Sequence, residues 1–442
     1  MFTRRLLVSA ATAAVLGAAA PAYAAPIEIQ WWHAMGGPLG EKLVAIAEGF
    51  NKSQNEYKVV PVFKGSYPEA MTGAIAAFRA KQQPDIVQVF EVGTATMMAA
   101  KGAIYPVYQL MKDEGEKFDP KAYVSAVTGY YSDSNGNLLS FPFNSSTPIL
   151  YYNKTLFKKA GIDADKAPKT WPEVAEAGKK LRAAGVSCGI TTTWPSWVNI
   201  ENLSVWHAKP IATLNNGFDG LGTKLEIATP LQVKHVEALA EWQKDKVYDY
   251  GGRTNQAGSK FAAQDCGMLI ESSGGQAAIR ANAAKGGYEF GIGMMPYWPD
   301  VQGAPQNSII GGATLWVLKG KPKANYKGVA KFFTYLSKPE VQADWHQSTG
   351  YLPITNASYQ LTLESGFYQK FPGADVPFLQ MSNKAPLPYT KGLRLGYMVQ
   401  VRDVIEEELE AAFSGKKTAK AALDDAQSRG NALLRKFEQE NK

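Results

Sequence analysis

The chain has 442 residues, of which 20% are charged, and its formal net charge at pH 7 is +7. This length exceeds the roughly 250–300 residues at which a single hydrophobic core stops growing, so we expect two lobes. The positive excess is spread along the chain in pairs of mixed sign. Nucleic-acid-binding proteins carry dense basic patches instead, so we exclude nucleic acid as a partner. The mild excess suits an anionic small ligand.

The first 24 residues have the pattern of an export signal. Arg4 and Arg5 form a positive start, an apolar run follows, and residues 22–24 read Ala-Tyr-Ala, a small-x-small cleavage site. We therefore expect the mature chain to begin at Ala25. A membrane anchor is the alternative, but the apolar run is shorter than the ~20 residues that a spanning helix needs.

Cys188 and Cys266 are the only cysteines, and neither lies near the cleavage site. The mature chain therefore has no N-terminal cysteine to carry a lipid. An exported protein without an anchor is retained only by a second membrane, which favours a periplasmic location. That compartment permits disulfides. The sequence leaves open whether the two cysteines are bonded or are two buried free thiols.

Strand and helix patterns alternate along the mature chain. In chain order, the predicted strands are 27–32, 57–63, 84–90, 149–153, 266–270 and 313–320. The predicted helices are 41–51, 67–82, 169–185 and 401–437, the last with a break at 415–418. Within the third helix, Thr170 and Glu173 form a capping box, and Gly185 is a stop signal. This alternation indicates α/β lobes in which mostly parallel sheets are flanked by helices.

Patterns typical of enzymes lack the context that their chemistry needs. GVSCG at 185–189 matches G-x-S-x-G, but that motif joins a strand to a helix, whereas here a helix pattern precedes it and a strand-like pattern follows. GKKT at 415–418 lacks the upstream glycine of a phosphate-binding loop. The histidines are too scattered for a metal site; they are His33, His207, His235 and His346. We therefore expect no enzyme, metal site or cofactor.

Polar residues follow several predicted strands at their carboxyl ends. Glu91 comes directly after the third strand, and Tyr67 follows the second through a short turn. FNSSTP at 143–148 supplies serine hydroxyls on a potential crossing segment, and SSGG at 272–275 follows another strand. Glycines at 311–312 allow an anion to approach backbone N–H groups. Ligands of open α/β sheets bind beyond the carboxyl ends of strands, so these residues predict a single cleft.

Trp194 and Trp197 lie in the polar, proline-broken segment TTTWPSW. Neither ring is on an obvious core face. One interpretation is packing between lobes. The other is a wall against which the C–H face of a polyol lies.

Several long and unusual residue runs carry a family resemblance, among them EVGTATMMA, PFNSSTP, QNSIIGGA and HQSTGYLPIT. In these runs, and over nearly the whole mature length, the chain resembles the glycerol-3-phosphate-binding proteins of Ugp-type ABC importers, within the maltose-binding-like class. The resemblance implies a two-lobed periplasmic-binding-protein fold with hinge crossings between the lobes. The crossings are expected near Asn144-Ser145, Gly311-Gly312 and Gly350-Tyr351. The implied divisions are a signal peptide at 1–24, an N-terminal lobe of 25–144 with 313–350, and a C-terminal lobe of 145–312 with 351–442.

The resemblance also implies a set of ligand contacts: Tyr67, Glu91, Ser146, Trp194, Ser272, Gly312, Tyr351 and Arg402. Arg402 is the one permanent cation of this set, and we expect it to grip phosphate oxygens bidentately. The neutral hydroxyls and the Gly312 N–H would complete the phosphate shell. Glu91, an acceptor when ionised, would face glycerol hydroxyls, and Trp194 would cover the carbon skeleton.

Glu271 directly precedes Ser272 in this set. If its carboxylate faced the ligand, it would repel an anion and favour a phosphodiester over a monoester. Strand alternation favours the outward orientation, which is our expectation.

The expected function is capture of sn-glycerol 3-phosphate or glycerophosphodiesters, such as glycerophosphocholine, by a monomer that delivers them to ABC permease subunits in the inner membrane. A sugar-binding protein of a carbohydrate importer is the first alternative. A periplasmic hydrolase is the second.

Overall fold

Ten strands and nineteen α-helical segments, with short 3₁₀ and π-helical turns beside them, lie along residues 25–442, the part of the chain that the computed structural model describes. The export signal predicted at 1–24 lies outside the described residues. The strands are β1 Ile27–His33, β2 Tyr57–Phe63, β3 Ile86–Phe90, β4 Ile104–Tyr105, β5 Phe141–Ser146, β6 Pro148–Asn153, β7 Cys188–Thr192, β8 Cys266–Ser272, β9 Phe290–Gly293 and β10 Gly311–Leu318. Over the same residues, no helix combines the length and the apolar character needed to cross a bilayer.

The helical segments cover the sheets and form most of the C-terminal part. They are α1 Gly37–Ser53, α2 Tyr67–Arg79, α3 Thr94–Ala99, α4 Val107–Asp113, α5 Ser125–Tyr131, α6 Lys154–Lys159, α7 Trp171–Ala183, α8 Leu203–Trp206, α9 Thr213–Gly217, α10 Pro230–Lys244, α11 Gly258–Ala262, α12 Gln276–Gly286, α13 Lys323–Leu336, α14 Pro339–Thr349, α15 Asn356–Glu364, α16 Phe367–Lys370, α17 Val376–Met381, α18 Met398–Phe413 and α19 Ala419–Asn441. The short segment α9 is a left-handed turn, because three of its residues have φ between 51° and 57°.

The strands form two separate sheets. The first has the order β2-β1-β3-β10-β4, with β5 also paired to β10. In it, β1 is parallel to β2 and β3, whereas β10 is antiparallel to β3, β4 and β5. The second has the order β7-β8-β6-β9, and β6 alone runs against its neighbours. Each sheet is thus mostly parallel with one reversed strand, so the predicted two-lobed α/β fold is confirmed.

Most of the predicted elements are confirmed within a few residues. The capping box forms as expected, since the Thr170 hydroxyl accepts from the Glu173 N–H and the Glu173 carboxylate accepts from the Thr170 N–H. The predicted break at 415–418 separates α18 from α19. The sequence missed β4, which has two residues, and β9, whose sequence FGIG has no alternation. It also missed the helices between 107 and 159, between 197 and 262 and between 276 and 381.

The segment predicted only as a crossing is mostly a strand, β5. Its polar residue Asn144 is buried with partners, since the Gln88 side chain donates to Asn144 Oδ1 over 2.9 Å. β5 pairs in the first sheet and β6 in the second, so the chain changes sheets at Thr147, the one residue between them. The Thr147 carbonyl is held there by the Ser273 N–H at 2.9 Å.

Glycines occupy the other two predicted crossings for a steric reason. Gly312 has φ of 100°, and a Cβ at this position would collide with the Asn144 carbonyl. Gly350 has φ of 98° where it ends α14, and a Cβ there would meet the Ser273 carbonyl. Both positions therefore need glycine. The lobe boundaries at these crossings stay a prediction.

Cys188 and Cys266 are joined by a disulfide. They are paired in register as the first residues of the parallel strands β7 and β8. These strands end at Thr192 and Ser272, and each is followed by a polar turn that leads to the cavity described below. Asp249 lies close to both sulfur atoms, but bonded cysteines offer no thiolate, so this group does not form a metal site.

Candidate ligand-binding site

A cavity of about 580 Å³ lies at the carboxyl ends of strands from both sheets. All eight residues of the predicted ligand set border it: Tyr67, Glu91, Ser146, Trp194, Ser272, Gly312, Tyr351 and Arg402. The structure therefore brings together side chains that are up to 335 positions apart in the sequence, from Tyr67 to Arg402. Their contact with a ligand stays a prediction.

Three helices begin at this cavity. Gly36 and Leu39 at the start of α1, Tyr67 at the start of α2, and Gly274 and Gly275 before α12 all border it. The first N–H groups of a helix have no partner within the helix, and they carry the positive end of its dipole. α1 also has no side-chain cap. Part of the α2 start is occupied by the Ser66–Glu69 capping box, and the Gly274 N–H donates to Ser272, so the start of α1 offers the most open backbone region for an anion.

The two tyrosines supply neutral hydroxyl groups. Asn144 donates to the Tyr67 hydroxyl over 3.1 Å, and the Tyr67 ring stacks on Phe90 with centroids 5.4 Å apart. Burial raises the pKa of Tyr67 to about 12, and burial also raises that of Tyr351. Tyr351 stacks on Trp345 at 5.7 Å. Both hydroxyls therefore stay protonated and can donate.

The two serines lie where strands end. Ser146 is the last residue of β5 and is buried. Ser272 is the last residue of β8, and its oxygen accepts from the Gly274 N–H over 3.1 Å. Because that oxygen is the acceptor, the hydroxyl hydrogen of Ser272 remains free to donate toward the cavity.

Arg402 is held by two buried carboxylates. Its Nε donates to Glu201 Oε1 at 2.8 Å and its Nη2 to Glu201 Oε2 at 2.7 Å. The same Nη2 donates to Glu91 Oε1 at 2.6 Å. Burial acts to lower the pKa of Arg402, but the two carboxylates outweigh it and raise the pKa. For Glu91 the effect of burial is dominant: it raises the pKa of the carboxyl, although the positive charge of Arg402 acts to lower it. We call these three residues the Arg402 cluster.

This cluster corrects the expected role of Arg402. A bidentate grip on phosphate needs two free nitrogens, and the edge formed by Nε and Nη2 is occupied by carboxylates. Among the described residues, only Nη1 of the guanidinium has no hydrogen-bond acceptor, so the expected bidentate grip is wrong for this conformation. One oxygen of Glu91 accepts from Arg402, and the other has no bond to it, so the expected role of Glu91 toward a hydroxyl stays a prediction.

Glu201 is a residue that the sequence reasoning missed. It lies in the π-helical turn Trp197–Asn202 and has no exposed surface. No pattern pointed to it, because π-helical turns have no sequence signature of their own. The one available signal was an acidic residue four positions after the tryptophan-rich segment 191–197.

The expected outward orientation of Glu271 is wrong. Only 8% of the residue is exposed, and it borders the cavity. The 3₁₀ turn Ser273–Gly275 folds back over it, so that a Cβ on Gly275 would lie 2.8 Å from Glu271 Cγ. Alternation predicts the face of the sheet, but it does not predict this turn. Burial raises the pKa of Glu271 to about 7, against hydrogen bonds from the Ser272 N–H and Thr193.

Trp194 and Trp197 both border the cavity. Trp194 has φ of 46°, an uncommon backbone conformation for a large residue, and its N–H donates to the Thr254 carbonyl at 2.9 Å. The Trp197 ring lies against Gly311, where a Cβ would be within 2.5 Å of it. The two rings give one wall an apolar, aromatic surface.

The serine of the G-x-S-x-G match is remote from this cavity. Ser187 is exposed, between the end of α7 and the start of β7. The prediction that a helix precedes this motif and a strand follows it is thus confirmed. It is the reverse of what a nucleophile elbow needs.

A cavity between two α/β lobes, bordered by neutral donors, helix starts and aromatic rings, is typical of a solute-binding protein. The profile of the family described as bacterial extracellular solute-binding protein matches residues 45–374, and the chain belongs to this family.

Curated relatives carry a more specific name. The chain is 56% identical over 416 residues to the sn-glycerol-3-phosphate-binding periplasmic protein UgpB of Yersinia pseudotuberculosis, covering 94% of each chain. It is 54% identical to the protein of the same name from Pectobacterium atrosepticum, over 95% of this chain and 94% of the relative.

Solved structures share the fold at low identity. UgpB of Mycobacterium tuberculosis, in complex with glycerophosphocholine, has a TM-score of 0.76 at 20% identity, over 94% of this chain and 99% of that one. Maltose-bound MalE3 of T. maritima has a TM-score of 0.74 at 19% identity, over 92% and 100%. These matches bear out the maltose-binding-like fold.

Proposed function

We propose that the chain is the periplasmic solute-binding protein of an ABC importer, and that it captures sn-glycerol 3-phosphate, glycerophosphodiesters such as glycerophosphocholine, or both. The observation that carries the proposal is the convergence of the eight predicted contacts around one cavity. The names of relatives at 54–56% identity support the same ligand class.

The cavity chemistry suits an anionic polyol. The starts of α1, α2 and α12 offer backbone N–H groups, and Tyr67, Ser146, Ser272 and Tyr351 offer neutral hydroxyls. Arg402 adds one guanidinium nitrogen. Glu91 accepts from hydroxyl groups, and the tryptophan wall covers carbon atoms. A phosphate bound mainly by neutral donors is held without the desolvation cost of several buried cations.

Closure of the two lobes would trap the ligand. We assign 25–144 with 313–350 to the N-terminal lobe and 145–312 with 351–442 to the C-terminal lobe. α1 and α12, which this division assigns to different lobes, are in contact, and residues at the starts of both border the cavity, which supports the proposal of closure. A ligand that touches both lobes binds this form better and shifts the equilibrium toward it.

Export by residues 1–24 would deliver the mature chain to the periplasm, where the closed form docks on membrane permease subunits. We propose that the protein acts as a monomer, releases its ligand chemically unchanged, and needs no cofactor. The disulfide is consistent with an oxidising compartment.

A neutral sugar is the second candidate ligand, and one observation favours it. The charge of Arg402 is balanced by Glu91 and Glu201, so the side chains of the cavity do not form a strongly cationic site. The aromatic wall would also suit a sugar ring. A hydrolase is the third candidate, but it needs a positioned acid and base or a metal.

Titration calorimetry of the purified mature chain against glycerol 3-phosphate, glycerophosphocholine and maltose tests the proposal. We expect both phosphorylated glycerols to bind and maltose not to compete. Binding of maltose alone would establish the sugar candidate. Product analysis after incubation with glycerophosphocholine completes the test, because released choline would indicate an enzyme.

A further inference from the structure

Glu201 makes the most complete contact of the Arg402 cluster. Both of its carboxylate oxygens accept from Arg402, along the Nε–Nη2 edge. Two parallel hydrogen bonds of this kind fix the plane of a guanidinium as well as its position. Glu91 has one bond to the same group. Glu201 therefore determines the orientation of the guanidinium more strongly than Glu91 does.

Glu201 itself cannot touch a ligand. It has no exposed surface, and it does not border the cavity that Arg402 borders. It lies behind the guanidinium, on the π-helical turn Trp197–Asn202. Its Oε1 also accepts from the Ser196 hydroxyl at 3.0 Å. A neighbouring residue of the same segment therefore holds the Glu201 carboxylate in place, and the carboxylate in turn holds Arg402.

The consequence is the direction of Nη1. With Nε and Nη2 both bonded to carboxylates, Nη1 is the guanidinium nitrogen without an acceptor among residues 25–442, on a side chain that borders the cavity. Rotation of the guanidinium would break both bonds to Glu201. The pair therefore keeps one nitrogen, with its two N–H groups, available for a ligand.

We propose that Glu201 is a positioning residue for ligand capture: it orients Arg402 so that Nη1 faces the cavity. The inference rests on the proposed function, since it assigns Arg402 to an anionic ligand. It goes beyond that function because Glu201 acts through Arg402 and touches no ligand.

Two other roles for Glu201 predict different results. If Glu201 acts only through its negative charge, its neutralisation raises the affinity for an anion, because a repelling charge is removed. If it serves only the stability of the fold, affinity in the folded variant stays unchanged. The positioning role predicts a fall in affinity, because an amide in place of the carboxylate presents an N–H₂ group to Nη2 and releases the guanidinium.

The first test is titration calorimetry of Glu201→Gln with glycerol 3-phosphate and with glycerophosphocholine. We expect affinity to fall about ten- to a hundredfold, the range for loss of a hydrogen bond between charged groups. Equal or higher affinity for both ligands would overturn the proposal. Binding of neither ligand by the wild-type protein would instead overturn the proposed function.

Glu410→Gln is the matched control. Glu410 lies on α18, like Arg402, and accepts two bonds from Arg253 along the same Nε–Nη2 edge, at 2.8 and 2.6 Å. Arg253 does not border the cavity. We expect this variant to keep wild-type affinity. A loss equal to that of Glu201→Gln would show a general effect of broken ion pairs and would contradict the proposal.

Ser196→Ala is the second variant, in case Glu201→Gln does not fold. It removes the hydroxyl bond to Glu201 Oε1 but leaves every charge in place. We expect a smaller fall in affinity in the same direction. Unchanged affinity in every one of these variants that folds would overturn the positioning role.

Nitrogen-15 NMR of arginine side chains gives a readout that needs no ligand. The Arg402 Nε–H signal, assigned by its absence in Arg402→Lys, is expected to show slow guanidinium rotation in the wild-type protein. Rotation should become fast in Glu201→Gln and stay slow in Glu410→Gln. Slow rotation in Glu201→Gln would contradict the proposal whatever the affinities are.

Discussion

Glu91 and Arg402 join two distant parts of the chain by a hydrogen bond of 2.6 Å between Oε1 and Nη2. Glu91 follows β3 of the six-stranded sheet, whereas Arg402 lies on α18, which packs on α10 and α19. Both side chains border the cavity. In the proposed division of the lobes, Glu91 and Arg402 belong to different lobes, so opening of the lobes would break this ion pair.

Arg402→Ala should abolish tight binding. The change removes the one guanidinium of the cavity wall and leaves the buried Glu91 and Glu201 without their cation, so we expect an affinity loss of about a hundredfold or more. Stability should also fall, by about 3–5 kcal/mol. Calorimetry and thermal unfolding measure the two effects. Arg253→Ala is the control outside the cavity, and near-normal affinity in Arg402→Ala would refute the role.

Stability should fall as the pH rises from about 4.5 to 7, in part because of Glu271. Burial raises the pKa of this carboxyl from 4.5 to about 7, so the folded state binds more protons than the unfolded state in this window. The contribution is absent below pH 4.5 and complete above pH 7, where it amounts to roughly 3 kcal/mol of destabilisation.

Urea denaturation of Glu271→Gln at pH 4.5 and pH 8 checks this. The variant should gain stability relative to the wild-type protein only at the higher pH. Glu410→Gln is the control, because hydrogen bonds from Arg253 lower the pKa of Glu410 and its titration falls below the window. An equal difference between Glu271→Gln and the wild-type protein at both pH values would contradict the prediction.

Removal of the disulfide should reduce stability and spare binding. Cys188 and Cys266 are 78 positions apart, and a loop of that length corresponds to roughly 4 kcal/mol in the loop-entropy account. Neither residue borders the cavity. The double change of both cysteines to Ala, measured by urea denaturation and calorimetry, should show the loss with unchanged affinity. A large loss of affinity in the folded double variant would count against this separation.

Gly312→Ala should damage the crossing between lobes. A Cβ would collide with the Asn144 carbonyl, and φ of 100° is unfavourable for alanine, so we expect about 1–3 kcal/mol of destabilisation and weaker binding. Gly73→Ala in α2 is the matched control, because a Cβ there meets no atom within 4 Å of it. That change should be neutral or stabilise the protein by roughly 0.5–1 kcal/mol. Similar effects of the two changes would contradict the hinge argument.

The sequence predicted the parts of the site that follow local rules. Glu91 and Tyr67 come after apolar strands, and the carboxyl ends of parallel strands meet at one edge, so their meeting could be foreseen. Arg402 and Tyr351 lie on helical and loop segments with no such rule, and only the family resemblance indicated them. No side-chain pattern indicates which residue will lie behind Arg402.

Two failures have the same physical cause. Glu201 and Glu271 are carboxylates whose positions depend on turns, a π-helical turn for one and a 3₁₀ turn for the other. Hydrophobic periodicity predicts which face of an element is buried, but it does not predict the path of the chain after the element ends. The charge balance of the cavity was therefore misjudged, since Glu201 pairs with a guanidinium expected to be alone and Glu271 adds a carboxyl to the cavity wall.

Three helices start at the cavity, and this determines how the charge of the cavity depends on the external pH. Backbone amides gain and lose no protons over the range in which bacteria grow, and a guanidinium does not either. The electropositive half of the cavity is therefore constant in acid and in alkali. Burial raises the pKa of Glu271, which borders the cavity, to about 7, so we expect ligand affinity to change near neutral pH through that wall.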